Sequence, residues 1–405
     1  MSLFGALGGL VAAVQTVPQA GPLVANSLRA VIGIEAVARL EELTASVEDS
    51  VMRVRFRSSE SRSLKAVTQT IVSESPAPAA VVPASFVAPA PAALEPAAPA
   101  APAFTLAPIQ PPHAEVAAEG DGVWLPVADP EHPEQPPLMY ATLIHPDRER
   151  RYAELFVVAL PRELIQLHPV PGSEEPASDN PRLATLSSRG LIPARERDGL
   201  LAAFNGGFRA EHGQHGMMVD GVTLLPPRAD MCTVAGYADG TIQIGTYTRV
   251  AARVDKPSWY RQSPRCLVED GALNARLRDA NAKGWGATLD GDTIIRRSAI
   301  ALSRDGSVLY VGVTNYTSAR ALALGMQAVG GWNVAQLDVN KSFPKFLLFP
   351  RDARGARHSA SLFAGFMYQP HEMLDEPALR DFFYVTRRQT EERAEATEAT
   401  TKQPG

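Results

Sequence analysis

The sequence predicts an α+β fold: a strand-rich domain with mixed, curved sheets and a few flanking helices, preceded by a helical N-terminus and a disordered Ala/Pro linker. Three observations lead to this prediction. Short apolar segments of strand length are separated by turn signals, only one segment of this domain has both the period and the caps of a helix, and the regular strand–helix alternation of a doubly wound sheet is missing. The chain of 405 residues is long enough to bury a sizeable core.

The first segment, residues 1–60, is predicted to be apolar and helical. Residues 1–28 carry no charge, and the apolar run Leu3–Val14 is too short to span a bilayer and lacks the basic start of a secretory signal. We interpret this run as the end of a membrane anchor or signal whose start is missing, with a small buried helix as the alternative. From Val31 to Val54, apolar residues recur every three or four positions, which predicts an amphipathic helix.

Residues 61–120 are predicted to be a disordered linker. Ala and Pro dominate between Ser75 and Gly120, and such a composition buries too little apolar surface to fold. A semi-rigid spacer of this kind suits a tethered envelope protein, although a low-complexity cytoplasmic tail has a similar composition. Residues 387–405 are charged and rich in Thr without an apolar period, which predicts a disordered tail.

The folded domain is predicted to run from residue 123 to residue 386. Its strands are short apolar stretches bounded by Asp-Gly turns. Five strands are predicted in this way: Ala153–Leu160, Met231–Ala235, Thr241–Thr246, Ala299–Leu302 and Val308–Val313. One helix is predicted over Ala319–Val329, because Ser318 stands at the N-cap position and Gly330-Gly331 ends the apolar period.

The charge balance and the cysteine count exclude several classes of protein. The chain has 39 basic and 44 acidic residues and a net charge of −5, so it has no general attraction to nucleic acid, which needs clustered Lys and Arg. Cys232 and Cys266 are its only cysteines, which excludes a disulfide scaffold and the zinc sites built from two Cys pairs. Because these cysteines lie in or beside separate strands, we expect free buried thiols.

The densest cluster of candidate functional residues follows the apolar strand Leu201–Phe204. Asn205-Gly206-Gly207 permits positive φ and close approach of the backbone to a ligand, although an isolated Asn-Gly-Gly is more often a hairpin turn. His212, His215 and Asp220 come next. The two histidines lack a third ligand at a metal-binding spacing, so neither a metal nor any other cofactor is predicted.

Three further segments carry candidate polar residues. Arg261 precedes the turn Asp270-Gly271, where a solvated arginine and a hairpin are the simplest interpretation. Arg297 enters an apolar strand, and a charge in a strand that is buried on both faces needs an anionic partner. Asp338 ends the strand that follows the capped helix, a position from which a carboxylate acts on a ligand or caps the next turn.

Taken in order, these segments resemble the phosphodiester glycosidase family, whose type domain is the N-acetylglucosamine-1-phosphodiester alpha-N-acetylglucosaminidase. The resemblance covers roughly residues 153–349, about half of the chain, and depends on the order and spacing of short motifs. The segments that match the family's motifs are Ala203–Phe208, Gly216, Asp220-Gly221, Arg261-Gln262, Asp270-Gly271, Arg297–Ala301 and Ala319–Gly331.

One motif departs from the family. Its last strand typically ends in Leu-Asp-Gly-Gly-Gly-Ser, whereas this chain has Leu337-Asp338-Val339-Asn340-Lys341-Ser342. Valine tolerates positive φ poorly, so we expect the loop to take another path, and Lys341 adds a cation where the family has a small residue. Either the pocket is reshaped for a different anionic substrate, or the activity is lost.

The resemblance implies hydrolysis of a glycosyl phosphodiester at the anomeric carbon, and it assigns hypothetical roles to residues of this chain. Arg297 would hold the departing phosphate, Asp338 or else Asp220 would be the nucleophile or base, and His215 would donate a proton. The predicted substrate-binding residues are Asn205, Gly206, Gly207, Arg261, Lys341 and Ser342.

Three accounts of function follow from the sequence. The first is a hydrolase of the cell envelope, or a secreted one, that acts on a glycosyl phosphodiester or a related surface glycan. The second is a non-catalytic protein of the same fold that binds an anionic glycan or sugar phosphate, and the third is a purely structural envelope protein. The partners predicted are thus a carbohydrate ligand and, through the N-terminus, a membrane. A shared location of Asn205, Arg297 and Asp338 would favour the enzyme.

Overall fold

The structure is a computed structural model that describes residues 34–56, 64, 106–129, 131–133, 135–186, 188–277, 284–285, 294–340 and 342–388. The predictions for the apolar run Leu3–Val14, for most of the Ala/Pro linker, for the tail beyond residue 388 and for Lys341 lie outside these residues. None of the helices within the described ranges has the length and apolar composition needed to cross a bilayer.

Three antiparallel sheets form the domain, which confirms the predicted α+β class, although the sheets are antiparallel rather than mixed. The largest sheet has the strand order β1-β2-β3-β14-β13-β15-β11-β12. Its strands are β1 (Leu125–Val127), β2 (Met139–Ile144), β3 (Leu155–Pro161), β11 (Val268–Glu269), β12 (Ala272–Leu273), β13 (Ile295–Leu302), β14 (Val308–Thr317) and β15 (Asn333–Gln336).

Each of the other two sheets has five strands. The second sheet, in the order β7-β6-β10-β8-β9, contains β6 (Met217–Val219), β7 (Val222–Leu225), β8 (Cys232–Gly236), β9 (Ile242–Thr246) and β10 (Trp259–Ser263). The third sheet, in the order β17-β16-β5-β18-β4, contains β4 (Ile165–Val170), β5 (Leu200–Asn205), β16 (Phe346–Leu348), β17 (Ala360–Ser361) and β18 (Phe382–Arg387). The α-helices described are α1 (Ile34–Arg55), α2 (Tyr247–Val250) and α3 (Ala319–Ala328).

The main hydrophobic core is shared by the three sheets. Phe156 of the large sheet stacks on Phe363 with ring centroids 4.7 Å apart, and Phe204 stacks on Phe383 within the third sheet at 5.5 Å. Val234 of the second sheet belongs to the same cluster. Burial of these side chains is the main favourable contribution to folding and fixes the strand ends that carry the candidate site.

Helix α3 covers the opposite face of the large sheet and has the predicted boundaries to within one residue. The Oγ of Ser318 accepts a hydrogen bond from the backbone N–H of Ala321 at 3.1 Å, and the chain leaves the helix at Gly330 with φ of +103°. Alternation along β13 directs Ala299 toward α3 and Ile300 toward the main core. The two faces of this strand therefore belong to different environments.

Residues N-terminal to the predicted boundary at residue 123 also pack on the domain. Ile109 and Val116 are buried, and the side chain of Leu64 lies in the main core. Helix α1, over the range predicted to be amphipathic, contacts the domain through Asp49, which pairs with Arg150 at 2.9 Å. Apolar residues embedded in a polar or Ala/Pro-rich context thus pack on the domain, which the average composition of the segment does not reveal.

The expectation of free thiols is wrong, because Cys232 and Cys266 form a disulfide with their Cα atoms 4.6 Å apart. Cys232 is the first residue of β8 and lies opposite Ser263 of the neighbouring strand β10, and Cys266 follows β10 by three residues. The pairing of β8 with β10 brings the cysteines together, and nothing local in the sequence indicates that pairing.

We expect removal of this disulfide to lower the free energy of unfolding. The bridge joins residues 34 apart, and closing a loop of that length restricts the unfolded chain by about 3 to 4 kcal/mol. Urea unfolding of the parent and of a Cys232→Ala/Cys266→Ala variant measures the difference. Thiol titration of the denatured parent without reductant is the control, and two free thiols there would contradict the bridge.

Candidate active site

The Asn-Gly-Gly turn leaves the end of β5 and is the centre of the candidate site. Asn205 is buried, and its Nδ2 donates to the Oγ of Ser298 at 2.8 Å. Its Oδ1 accepts from the backbone N–H of Lys345 at 3.2 Å. The amide therefore joins the end of β5 to the middle of β13 and to the chain that enters β16.

Asp338 lies beside this turn, two residues beyond the end of β15. Its backbone N–H donates to the carbonyl oxygen of Gly206 at 2.9 Å, and its own carbonyl oxygen accepts from the Oγ of Ser298 at 2.9 Å. Since Ser298 also binds Asn205, one hydroxyl connects the two predicted site residues. The structure thus brings Asn205 and Asp338 together.

The carboxylate of Asp338 is only slightly accessible and is held by three donors. Its Oδ1 accepts from the backbone N–H groups of Val339 at 2.8 Å and Asn340 at 3.2 Å, and its Oδ2 pairs with Nη1 of Arg380. The guanidinium of Arg380 lies over the ring of Phe343, 3.9 Å from the ring centroid. These three donors hold the Asp338 carboxylate in one orientation.

A cavity of about 20 Å³ opens beside these groups, enough for one water molecule. Its lining is polar on one side, where Lys345 pairs with Glu372 at 2.6 Å. The lining residues are Asn205, Gly206, Asp338, Phe343, Lys345, Glu372, Met373, Ala378, Leu379, Arg380, Asp381 and Phe382.

Arg261, predicted to bind substrate, is turned into the protein interior and is 1% exposed. Its Nε and Nη2 donate to the two carboxylate oxygens of Asp381 at 2.8 and 2.9 Å. The other N–H groups donate to the carbonyl oxygens of Phe208, His215 and Gln262. All five donors of the guanidinium are thus engaged, so Arg261 is not free to hold a substrate.

Gly206 and Gly207 are packed directly on this ion pair. A Cβ on Gly206 would lie 2.1 Å from Oδ2 of Asp381, and a Cβ on Gly207 would lie 2.6 Å from Cζ of Arg261. The backbone N–H of Gly207 donates to Oδ2 of Asp381 at 2.8 Å. The glycines permit this close approach, which only a residue without a side chain allows.

Arg297 does not face the candidate site. It neighbours Ser298 on β13, so its side chain points to the opposite face of the sheet, where it is fully buried. Its Nε donates to the carbonyl oxygen of Thr317 at 3.1 Å, and its Nη1 donates to that of Trp285 at 2.7 Å. Burial lowers the pKa of Arg297 to about 9, so it remains charged at neutral pH, but the role of phosphate ligand does not fit this position.

Neither His215 nor Asp220 lines the cavity beside the Asp338 carboxylate. His215 is buried, and its pKa is lowered to about 3 by burial and by the charges of Arg261 and Arg228. It is therefore neutral at neutral pH, against the expectation of a proton donor that titrates there. Asp220 is exposed and occupies the β6–β7 turn with φ of +50°, as a hairpin turn requires.

The end of the altered motif is a turn. The backbone N–H of Ser342 donates to Oδ1 of Asn340 at 3.3 Å, while Lys341 lies outside the described residues.

His212 is half exposed and contacts Glu211 at 3.4 Å. Within the described ranges, no group of three His, Cys, Asp or Glu side chains is arranged to hold a metal ion.

The residues that sequence reasoning missed come from the C-terminal part of the domain. Arg380 and Asp381 stand directly before the apolar strand β18, and Lys345 stands directly before β16. A charged residue at a strand boundary was the signal that indicated Asp338, and the same signal marks Arg380-Asp381. The resemblance to the glycosidase family ends near residue 349 and so did not extend to this pair.

Comparison with known proteins gives only distant structural similarity. The chain matches no protein-family model and, by sequence, no curated protein. The catalytic domain of zebrafish N-acetylglucosamine-1-phosphodiester alpha-N-acetylglucosaminidase, auto-inhibited by its pro-peptide, is 14% identical with a TM-score of 0.41, over 62% of this chain and 84% of that one.

Two further solved structures are similar at the same low level. A hypothetical protein from Synechocystis is 12% identical with a TM-score of 0.32, over 63% of this chain and 65% of that one. A putative exported protein from Burkholderia pseudomallei is 11% identical with a TM-score of 0.27, over 58% of this chain and 74% of that one. Similarity at this level assigns no activity to the chain.

Proposed function

We propose that this protein hydrolyses a glycosyl phosphodiester at the cavity formed by the ends of β5, β15 and β18. The observation that carries the proposal is the contact of the Asp338 carboxylate with the Arg380 guanidinium, beside the Asn205 amide and at the edge of a cavity. The order of the sequence motifs that resemble the phosphodiester glycosidase family supports the same chemistry.

Arg380 takes the role that the sequence predicted for Arg297. Cleavage at the anomeric carbon develops positive charge on the sugar and negative charge on the departing phosphate. A guanidinium binds two phosphate oxygens at once, and Phe343 holds that of Arg380 from one side. The phosphate is a good leaving group, so a cation that stabilises it serves better than a strong general acid.

Asp338 is the proposed nucleophile or base. In the free protein its Oδ2 is paired with Arg380, and a bound phosphate competes for the same guanidinium. Transfer of Arg380 to the phosphate releases Oδ2, while the N–H groups of Val339 and Asn340 keep Oδ1 in place. Substrate binding thus produces the free carboxylate oxygen that the reaction needs.

We propose an oxidising compartment for this reaction, either the cell envelope or the exterior. The disulfide between Cys232 and Cys266 supports this location, because such bridges persist outside the reducing cytosol. The apolar N-terminus and the Ala/Pro segment are consistent with a tether that holds the domain at a membrane.

A second candidate function is binding of an anionic glycan without turnover. Two observations favour it: the cavity of about 20 Å³ has room for only about one water molecule, and both oxygens of Asp338 are engaged. In that case Arg380 would bind the phosphate and Asp338 would serve only to orient Arg380.

The test is incubation of the purified protein with uridine-diphosphate N-acetylglucosamine in water labelled with ¹⁸O. We expect release of free sugar together with unlabelled uridine diphosphate, because attack at the anomeric carbon leaves the bridging oxygen on the phosphate. Arg380→Ala is expected to lower kcat about 100-fold through loss of phosphate stabilisation, whereas Arg249→Ala, in an exposed ion pair with Asp270, is the matched control. Binding of the nucleotide sugar without turnover would support the second function. If the protein neither binds nor cleaves the nucleotide sugar or a nitrophenyl glycosyl phosphodiester, both functions are rejected.

A further inference from the structure

Asp381 connects the Asn-Gly-Gly turn to the arginine of the candidate site. Its carboxylate accepts from Gly207 N–H at 2.8 Å and from two donors of Arg261, and its carbonyl oxygen accepts from Gly206 N–H at 2.9 Å. Arg380 is its neighbour in the chain. The position of Arg380 relative to the turn therefore depends on the Asp381 contacts.

Arg261 closes the loop that follows the turn. Its Nη2 donates to the carbonyl oxygen of Phe208 at 2.6 Å, and its Nη1 donates to that of His215 at 2.9 Å. These two carbonyl groups are the ends of the loop 208–215, so a single buried guanidinium holds both ends. The side chains of the pair are almost fully buried, at 1% exposed for Arg261 and 2% for Asp381, and Asp381 also lines the cavity.

The loop carries His212 to the edge of the candidate site. The charges that act on this ring are those of Glu211 and Arg209 on its own segment, of Asp338 after β15 and of Arg380 before β18, and the ring also interacts with His215. Partial burial and the charge of Arg380 outweigh the nearby carboxylates and lower the pKa of His212. The titration of His212 is therefore a local measure of how the loop sits against Asp338 and Arg380.

We infer that Arg261 and Asp381 are positioning residues for the proposed active site, because one buried ion pair fixes the Gly206-Gly207 turn, the loop 208–215 and the chain that presents Arg380. Only the expected loss of catalysis rests on the proposed function, and the positioning role itself does not. Both side chains are buried and engaged in hydrogen bonds, so the pair acts through the groups that it holds.

The experiment compares Arg261→Lys and Asp381→Asn with the parent, using kcat, KM and an NMR titration of His212. Displacement of catalytic groups by a fraction of an ångström is expected to lower kcat on the order of 10- to 100-fold, with KM within about twofold. Release of the loop removes the partial burial that lowers the pKa of His212, so this pKa is expected to rise toward the ordinary value of 6.5. His212→Gln identifies the signal.

Two further variants keep the inference falsifiable. A single variant leaves an unpaired charge buried and for that reason could fail to fold. The double variant Arg261→Gln/Asp381→Asn removes both charges and then takes its place. Arg150→Lys alters an ion pair with Asp49 far from the site and is expected to leave kcat and the His212 titration unchanged.

The outcomes separate this inference from the proposed function. A parent without turnover rejects the proposed function, while the His212 titration still tests the positioning role. Folded variants in which His212 titrates as in the parent overturn the positioning role, even if the parent is an active hydrolase.

Discussion

Asp338→Asn is expected to lower kcat for hydrolysis of a glycosyl phosphodiester by about 10³-fold, because the amide is neither a nucleophile nor a base. The substitution preserves the shape of the side chain, and its oxygen still accepts from the N–H groups of Val339 and Asn340. The loop therefore keeps its hydrogen bonds while the carboxylate is lost. Binding of a sugar phosphate should persist through Arg380, so KM should change far less than kcat.

The matched control is Asp220→Asn, since Asp220 was the second carboxylate that the sequence indicated. Asp220 occupies an exposed turn at φ of +50°, a conformation that Asn adopts readily. Its activity should equal that of the parent. If Asp338→Asn turns over as fast as Asp220→Asn, Asp338 is not the catalytic carboxylate, and the carboxylate that reacts must be sought elsewhere in the cavity.

Local elements of the fold were predictable because their signals lie within a few residues. Helix α3 depends on a cap at Ser318 and an exit at Gly330, and both lie next to the apolar period that they bound. The turn between β13 and β14 depends on Asp305-Gly306, where Oδ1 of Asp305 accepts from Ser307 N–H at 3.1 Å. No distant contact was needed to recognise either element.

Sheet order and the disulfide were not predictable, because each depends on pairing between distant strands. Gly207 donates to Asp381, which is 174 residues away, and no pattern in either segment indicates that the two are in contact. The cysteines are only 34 residues apart, yet their pairing requires that β8 and β10 be neighbours. The motifs that match the family therefore indicated Arg297 as the cation, whereas Arg380 lies outside them.

The face of Arg297 illustrates a limit of the apolar pattern itself. Strand β13 is buried on both faces, so its sequence has no polar alternation that shows which side meets the candidate site. Neighbouring residues must point in opposite directions, and the structure assigns Ser298 to the site and Arg297 to the other face. Asn205 and Asp338, by contrast, could be predicted because Asn205 ends β5 and Asp338 follows the end of β15 by two residues.

Gly206→Ala is expected to destabilise the protein by about 5 kcal/mol, because a buried ion pair must open to admit one methyl group. The new carbon would lie 2.1 Å from Oδ2 of Asp381 and 2.6 Å from its carbonyl oxygen. Neither oxygen can withdraw freely, since the first binds Arg261 and the second accepts from the N–H of Gly206. Moving Asp381 would also move Arg380, so activity should fall with stability.

Urea unfolding at neutral pH measures this effect, and Gly199→Ala is the matched control. Gly199 lies just before the same strand β5, and a Cβ there meets no atom closer than 3.7 Å, an ordinary contact. We expect that control to stay within about 1 kcal/mol of the parent. Equal stability of the two variants would show that the turn shifts without cost. The close packing of glycine on Asp381 would then not be what holds the ends of β5 and β18 together.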